Sequence, residues 1–319
     1  MAAGDLQRSF AAHYSPVKTK IDMRVFVTGA TGFIGSAIVP ELIAAGHEVL
    51  GLARSEAAAK ALEAAGATPH RGDIEDLDSL RAGVAATDGI IHTGFIHDFT
   101  RFKEVCEADR RAIAAMGAAL AGTDRPFIVT SGIALFTTDQ PVTESDRPLA
   151  DSPNPRAASE QAVDELAAQG VRVAVVRLAP SVHGRGDHGF VPMLADIARE
   201  KGVAAYSERL NSWCAVHRLD AAKLYRLALE KTAAPGTRYH GVAEGSIPFR
   251  NIAAVIGKRL NVPVAAMPAE EAAQHFGWFA HFASMDIKAS SRHTQDSLGW
   301  SPVQPGLIED VDSDYYFSK

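Results

Sequence analysis

The residues whose spacing most plainly implies chemistry are three glycines. The segment Val25-Phe26-Val27-Thr28-Gly29-Ala30-Thr31-Gly32-Phe33-Ile34-Gly35 sets them as G-x-x-G-x-x-G, after a β-branched run and before a helical apolar pattern. In that context Gly29 turns the chain sharply, Gly32 lets backbone approach a pyrophosphate, and Gly35 lets helix and strand pack closely. The first N–H groups of such a helix lack intrahelical acceptors and lie at the positive end of its dipole, so they suit an anion. The segment predicts a dinucleotide-binding turn in which Gly29, Thr31, Gly32, Phe33, Ile34 and Gly35 cradle the phosphates.

A nucleotide held there would meet the end of the next strand, Leu52-Ala53-Arg54-Ser55. Selection of the unphosphorylated cofactor usually places an acid at this point, for the ribose hydroxyls. Here no acid is present. Arg54 and Ser55 suit a 2′-phosphate, the arginine through its charged fork, so NADP (NADPH) is favoured over NAD. Asp73 and Ile74, at the following strand end, are placed to reach the adenine, and Asp73 could also cap a helix. Thr93, Gly94 and Thr130 fall at later strand ends and are expected to border the cofactor. His92, His97, His183, His188 and His217 lie at strand ends or in the loops after them, and any could act as acid or base near neutrality. His183 and His188 have a loose, glycine-rich spacing with no further ligand in sight, so no metal site is expected. Cys106 and Cys214 have neither ligand spacing nor a disulfide pattern and read as reduced thiols.

Positioning these groups takes alternating strands and helices. Strands are predicted at 23–28, 48–53, 68–71, 89–92, 126–130 and 171–178, and helices at 33–45, 55–65, 77–84, 101–120 and 157–168. The alternation implies an α/β fold with a doubly wound parallel sheet, covered on both faces, that binds ligands at its strand C-termini. After Pro180, proline, glycine and aromatic residues become more frequent and strands sparse, which predicts a smaller C-terminal substrate lobe. The expected division is a mobile extension at 1–22, a dinucleotide-binding domain at 23–178, and a lobe at 179–319 that returns segments to the core. Residues 1–22 lack the apolar region of a secretory signal, and no segment has the apolar length of a membrane span. A formal charge of −6 with no Lys/Arg run argues against nucleic acid. A cytoplasmic protein with a small-molecule substrate is expected.

Together these segments resemble the extended and atypical short-chain dehydrogenase/reductases, the NAD(P)-dependent epimerase/dehydratase-like group. The resemblance covers nearly all of 23–319. It is carried by 28–35, by Gly72-Asp73-Ile74, by Arg177-Leu178-Ala179-Pro180-Ser181-Val182-His183-Gly184, and by Leu298-Gly299-Trp300-Ser301-Pro302. It is carried also by Trp213-Cys214-Ala215-Val216-His217-Arg218-Leu219-Asp220-Ala221-Ala222, which resembles the group's F-V-H-V-D-D-V-A segment. The resemblance implies a Rossmann-type sheet and sets Pro180, Ser181 and Val182 against the nicotinamide. The group's catalytic Ser, Tyr and Lys are replaced. Arg156 stands at the Tyr position, Glu160 at the Lys position and Gly132 at the Ser position, with Ser131 one residue earlier.

Arginine cannot donate a proton at neutral pH, because its pKa exceeds about 12, but it can hold a developing alkoxide by charge and hydrogen bonds. The candidate catalytic residues are Ser131, Arg156 and His183, the last because it replaces the group's usual Tyr beside the nicotinamide. Alternatively Arg156 and Glu160, four residues apart on one helix face, form a structural ion pair in a disabled site. His97, which Asp98 could orient, is the next candidate for the proton. Phe95, His97, His183, Phe190, Trp213 and Trp278 are expected to bind substrate, with the aromatic cluster at 276–282 as a roof, suiting a fairly apolar or aromatic compound. A homodimer through the helices at 101–120 and 157–168 is implied by the resemblance. The alanine-rich face of the first could equally pack within its own domain.

Three functions fit these residues. An NADP-dependent oxidoreductase acting on a small carbonyl or alcohol, with a non-standard active site, is favoured. A dinucleotide sensor that has lost its chemistry is the second, and a lyase, isomerase or cyclase reusing the pocket is the third. The fold alone does not choose among them.

Overall fold

The computed structural model describes residues 22–136, 138–231 and 234–318, so the expected N-terminal extension falls, apart from Asp22, outside the described residues. The first half runs β1 (Arg24–Thr28), α1 (Gly35–Ala45), β2 (Glu48–Ala53), α2 (Glu56–Ala64), β3 (Thr68–Arg71), α3 (Leu77–Ala85), β4 (Gly89–His92), α4 (Phe102–Ala118), β5 (Phe127–Gly132), α5 (Ala157–Ala168) and β6 (Val173–Leu178). The second half runs β7 (Ser181–His183), α6 (Phe190–Lys201), β8 (Ala204–Ser207), β9 (Ser212–His217), α7 (Arg218–Glu230), β10 (Thr237–Gly241), β11 (Glu244–Pro248), α8 (Phe249–Leu260) and β12 (Val264–Met267). It ends with α9 (Ala269–Phe276), α10 (Ala280–Ser284), α11 (Arg292–Leu298) and α12 (Leu307–Val311).

Seven parallel strands form the central sheet in the order β10-β6-β5-β4-β1-β2-β3. Successive residues serve opposite faces. Val25, Val27, Ile91, Ile128 and Val176 join the core that includes Ile38 and Leu42 of α1 and Leu224 of α7. Phe26, Ile90, Phe127, Val129 and Val175 join the core that includes Leu80 of α3, Ile113 of α4 and Val163 of α5. Burial on both faces is why these strands read as nearly unbroken apolar runs. Strand order reverses between β1 and β4, so their C-terminal ends part around a crevice, where sheets of this kind bind ligands.

Strands are more numerous after Pro180 than the sequence pattern suggests. β10 is the seventh strand of the main sheet, and α7 packs beside α1. β9 pairs parallel with β7 and antiparallel with β11, and β12 pairs with β8. β8 and β12 are short and rich in alanine, which carries little strand signal. On α4, Ala112 and Ala115 are buried in the domain's own core, while Ala118 and, just past the helix, Ala119 and Ala121 are exposed. No helix among the described residues is long and apolar enough to cross a membrane.

Candidate cofactor cleft and active site

The β1–α1 turn is built so tightly that a side chain is excluded at Gly29 and at Gly35. Gly29 has φ +66°, and a Cβ there would lie 2.7 Å from the Gly94 nitrogen; a Cβ on Gly35 would lie 2.0 Å from the Gly29 oxygen. The turn is locked to the strand end beside it. Gly94 N–H donates to Thr28 Oγ1 at 3.1 Å, and Thr93 Oγ1 donates to the Thr28 carbonyl at 2.8 Å. α1 starts without a side-chain cap and without an acid in its first turn, so its positive end is open to an anion.

At the end of β2, Arg54 is exposed and makes no hydrogen bond or ion pair among the described residues. The nearest acid in sequence, Glu56, is paired with Arg71. Ser55 Oγ caps α2 by accepting from Ala58 N–H at 3.2 Å. Asp73 does not cap α3. That role belongs to Asp76, which accepts from the Asp78 and Ser79 N–H groups, whereas Asp73 Oδ1 accepts from Glu75 N–H at 3.0 Å. Ile74 lies against the crevice, its Cγ2 3.0 Å from where a Gly94 Cβ would stand. Ser181 is buried, and its hydroxyl has no hydrogen-bond partner among the described residues. Pro180 and Val182 beside it are half-buried. A turn whose glycines 29 and 35 leave no room for a Cβ, an uncapped helix start and an orphaned hydroxyl fit a bound dinucleotide.

Arg156 stands just before α5 and is held from three sides. Its Nη1 donates to Asp109 Oδ2 at 2.5 Å and to Ser159 Oγ, and its Nη2 donates to the Thr130 carbonyl at 2.9 Å. The guanidinium lies 4.4 Å over the Phe95 ring. Asp109, buried on α4, also accepts from Ser159 Oγ at 2.5 Å and meets His92 Nε2 at 3.0 Å. His92 Nδ1 lies 2.6 Å from Thr28 Oγ1. An ionised carboxylate only accepts, so His92 Nε2–H donates to Asp109, and Nδ1 of the singly protonated ring accepts from the Thr28 hydroxyl. A hydrogen-bonded chain thus runs from the glycine turn to Arg156. Burial pushes the Asp109 carboxyl up, but the Arg156 charge and the His92 and Ser159 hydrogen bonds outweigh it and hold it well below the usual carboxylate range. Thr130 Oγ1 is itself bonded to the His92 carbonyl and to Tyr225, each at 2.7 Å.

The expected Arg156–Glu160 pair does not form. Glu160 points into the interior, where Arg177 grips both its carboxylate oxygens at 2.7 Å and Arg238 adds a contact at 3.3 Å. Burial raises the Glu160 pKa, but those arginines outweigh it and bring it below normal. Ser131 is buried on β5, its hydroxyl without a hydrogen-bond partner among the described residues, and it is not one of the groups that hold Arg156. His183 is buried too. Its Nδ1 lies 2.8 Å from Asp310 Oδ2 and its ring stands edge-on to His217 at 5.3 Å, in a contact between β7 and the C-terminal segment. The expectation set this side chain beside the nicotinamide as a catalytic and substrate-binding group, whereas its Nδ1 is engaged by Asp310 and the ring is buried.

His97 is the histidine at the open edge of the Arg156 site. Its surface is exposed, yet the surrounding chain, the Arg156 charge and His188 lower its pKa, with the Phe95 backbone opposing them. From Phe95 an aromatic wall continues through His97 and Phe99 to Phe282 and Phe190, with ring separations of 5.3, 6.4, 5.7 and 4.9 Å. Trp278 is exposed beside Phe99. Trp213 does not line the cleft. It is completely buried, packed behind Phe190 at 5.6 Å. Of the roof cluster, Phe276 and Phe279 are core residues. Asp109 and Ser159 were not among the expected site residues. Asp109 falls between Val105, Cys106, Ala112 and Ile113 on the apolar stripe of its helix, and a lone acid on such a stripe is the signal that finds it.

The sequence profile of the NAD dependent epimerase/dehydratase family matches residues 25–240. An uncharacterized protein of Schizosaccharomyces pombe is 51% identical over 296 residues, covering 92% of this chain and 100% of that one. A 4-hydroxy-2-methyl-3-oxo-4-farnesyl-3,4-dihydroquinoline-1-oxide ketoreductase of Stigmatella aurantiaca is 31% identical over 189 residues, 56% of each chain. The solved structure of MoeE5 in complex with UDP-glucose and NAD aligns with TM-score 0.72 and 20% identity over 92% of this chain and 97% of that one, a likeness of fold.

Proposed function

The chain belongs to the NAD dependent epimerase/dehydratase family, and on that premise we propose that it is an NADP(H)-dependent oxidoreductase acting on a small, fairly apolar or aromatic carbonyl or alcohol. The observation that carries the reading is the turn in which neither Gly29 nor Gly35 has room for a Cβ, with Arg54, a guanidinium without a partner among the described residues, at the end of the neighbouring strand. An unpaired arginine with no acid beside it suits the extra phosphate of NADP(H). The bound cofactor supplies or accepts the hydride; the chain holds the carbonyl and manages its proton. Pinned by Asp109, Ser159 and Thr130, Arg156 is already ordered when it meets an oxygen gaining charge, the condition under which electrostatic catalysis is strongest. Buried Asp109 offsets its net charge, so Arg156 acts as an oriented donor more than as a free cation. His97, mostly neutral near pH 7 because its pKa is lowered, is the base when an alcohol is oxidised. In reduction the proton comes from its minor imidazolium form or from water.

The aromatic wall and the ketoreductase relative, named for a farnesyl-bearing dihydroquinoline oxide, support a ketone on an apolar body. Cys106 and Cys214 are free and buried, with thiol pKa values pushed by burial to about 11 and about 12, which fits a reducing compartment such as the cytoplasm. The test is calorimetric titration with NADPH and NADH, then a carbonyl screen followed by NADPH absorbance. Tight NADPH, weak NADH and turnover of apolar ketones are expected. Binding with no turnover would favour the sensor reading. Substrate conversion without net cofactor oxidation would favour a lyase or isomerase, and no binding of either nucleotide would end the proposal.

A further inference from the structure

A second cationic group, absent from the site residues above, crosses the start of α1. The Arg218 guanidinium lies 4.7 Å over the Phe33 ring of the phosphate turn. It donates to Ser36 Oγ at 3.0 Å and to the Arg185 carbonyl at 2.8 Å. The loop after β7 adds His188, edge-on to Phe33 at 5.6 Å, and Arg185, 4.8 Å over Tyr315. No carboxylate pairs with Arg218 or Arg185 among the described residues. Asp187, the acid within this loop, turns away, accepting from Gly189 N–H at 2.7 Å and from the Tyr316 hydroxyl at 3.0 Å.

This placement is electrostatically unfavourable as it stands. Burial lowers the Arg218 pKa, so the cation is held partly out of water without a counter-ion. It is held, moreover, at the positive end of α1, where like charge is destabilising. A buried charge is normally paired, and an anion at the phosphate turn would satisfy the guanidinium and the helix start together. Where the family pattern F-V-H-V-D-D carries its second valine, this chain carries Arg218.

We propose that Arg218, held by the 184–188 loop, is a latch on the diphosphate of the bound dinucleotide. The proposal rests on the dinucleotide reading above but not on hydride transfer. Arg54 and Arg218 then divide the work. Arg54 discriminates between the cofactors, and Arg218 tightens both equally.

The experiment is calorimetric titration of the full chain with NADPH, NADH, ADP-ribose and adenosine 2′-monophosphate. Arg218→Ala should weaken the first three about 10- to 100-fold, the range for a charge-assisted hydrogen bond, and leave the fourth unchanged. Arg54→Ala should weaken NADPH and adenosine 2′-monophosphate and spare NADH. Arg218→Gln, which keeps hydrogen-bonding capacity without charge, should rank the ligands as Arg218→Ala does, and Arg218→Lys should recover part of the affinity. Without ligand, Arg218→Ala should melt no lower than wild type, because it removes an unpaired cation; a merely structural arginine would lower the melting point. Affinities of Arg218→Ala within twofold of wild type for all three diphosphates overturn the latch. A wild type that binds none of them overturns the latch and the dinucleotide reading together. Binding without hydride transfer leaves the latch standing and removes only the proposed reaction.

Discussion

Arg156 and Glu160 show how much a single charge depends on where its helix begins. Spacing by four puts two residues on one helix face, but Arg156 precedes the first full turn of α5 and reaches sideways to β5 and α4. Glu160 faces inward and serves Arg177 and Arg238, both buried. The replacements at the Tyr and Lys positions were legible in the sequence. Their partners were not, since Asp109 lies 47 residues from Arg156 and only the packing of α4 against α5 joins them. Two variants separate the residues' roles. Asp109→Asn removes the charge that orients Arg156 while nearly keeping the shape. Carbonyl turnover should fall about 10- to 100-fold, somewhat less than loss of a whole oxyanion donor, with the KM for NADPH little changed. Arg156→Lys should not restore it, because an ammonium lacks the planar fork that reaches Asp109 and Thr130 together. Glu160→Gln instead leaves the buried Arg177 guanidinium without an anion and Arg238 with Asp164 alone. A loss of about 3–5 kcal/mol in denaturant unfolding is expected, with NADPH affinity of the folded protein unaffected. Equal loss of affinity and stability would show that Glu160 belongs to the cofactor site after all.

At the scale of elements, the parts read correctly from sequence are those set by local rules. β2, β3, β4 and α5 match their predicted bounds, and the glycine turn lies between strand and helix as its spacing requires. What escaped is set by distant packing: β10 as the seventh strand, and the alanine-rich β8 and β12. Trp213 belongs with these, since it reads as a cleft residue and is a core support for Phe190. The turn itself offers the sharpest test. Alanine is normally the better helix residue by about 0.5–1 kcal/mol, so Gly35→Ala at the first position of α1 would stabilise an unconstrained helix. Here its Cβ would stand 2.0 Å from the Gly29 oxygen, so β1 and α1 must be pushed apart. The expected outcome is a lower melting temperature and at least a 100-fold weaker NADPH titration, the loss of pyrophosphate contacts outweighing the helix gain. A stabilised variant with normal affinity would mean that the turn is looser than its packing indicates.

At the scale of the whole molecule, His240 ties both halves together and makes the fold sensitive to acid. It lies on β10, fully buried, with Nδ1–H donating to the Ser290 carbonyl at 2.7 Å and Nε2 facing Arg177 at 3.3 Å. Its backbone N–H donates to Thr294 Oγ1 at 2.8 Å, and Thr294 donates to Glu144 at 2.7 Å, so the main sheet, the 144 loop and α11 meet around one imidazole. Burial, aided by the Arg177 charge and opposed by Glu144, pushes its pKa down to about 4. An unfolded imidazole titrates near 6.5, so between those values the unfolded chain binds the extra proton. The stabilisation is therefore complete above about pH 6.5 and is lost as pH falls toward 4, a total of roughly 3 kcal/mol. His217, also lowered by burial, adds a contribution of the same sign. Asp109, Glu160 and Asp310 are depressed carboxyls whose contributions hold above about pH 4 and fail below it, giving a second stage. Denaturant midpoints measured at pH 7.0, 5.5, 4.5 and 3.5 should slide from the first step onward. In His240→Asn, whose amide can still donate to Ser290, the protein should be less stable at pH 7 but lose less between 7.0 and 4.5. Wild-type stability that stays flat down to pH 5 would show that the imidazole can protonate in place, and that the junction between the sheet and α11 opens to water more readily than its packing implies.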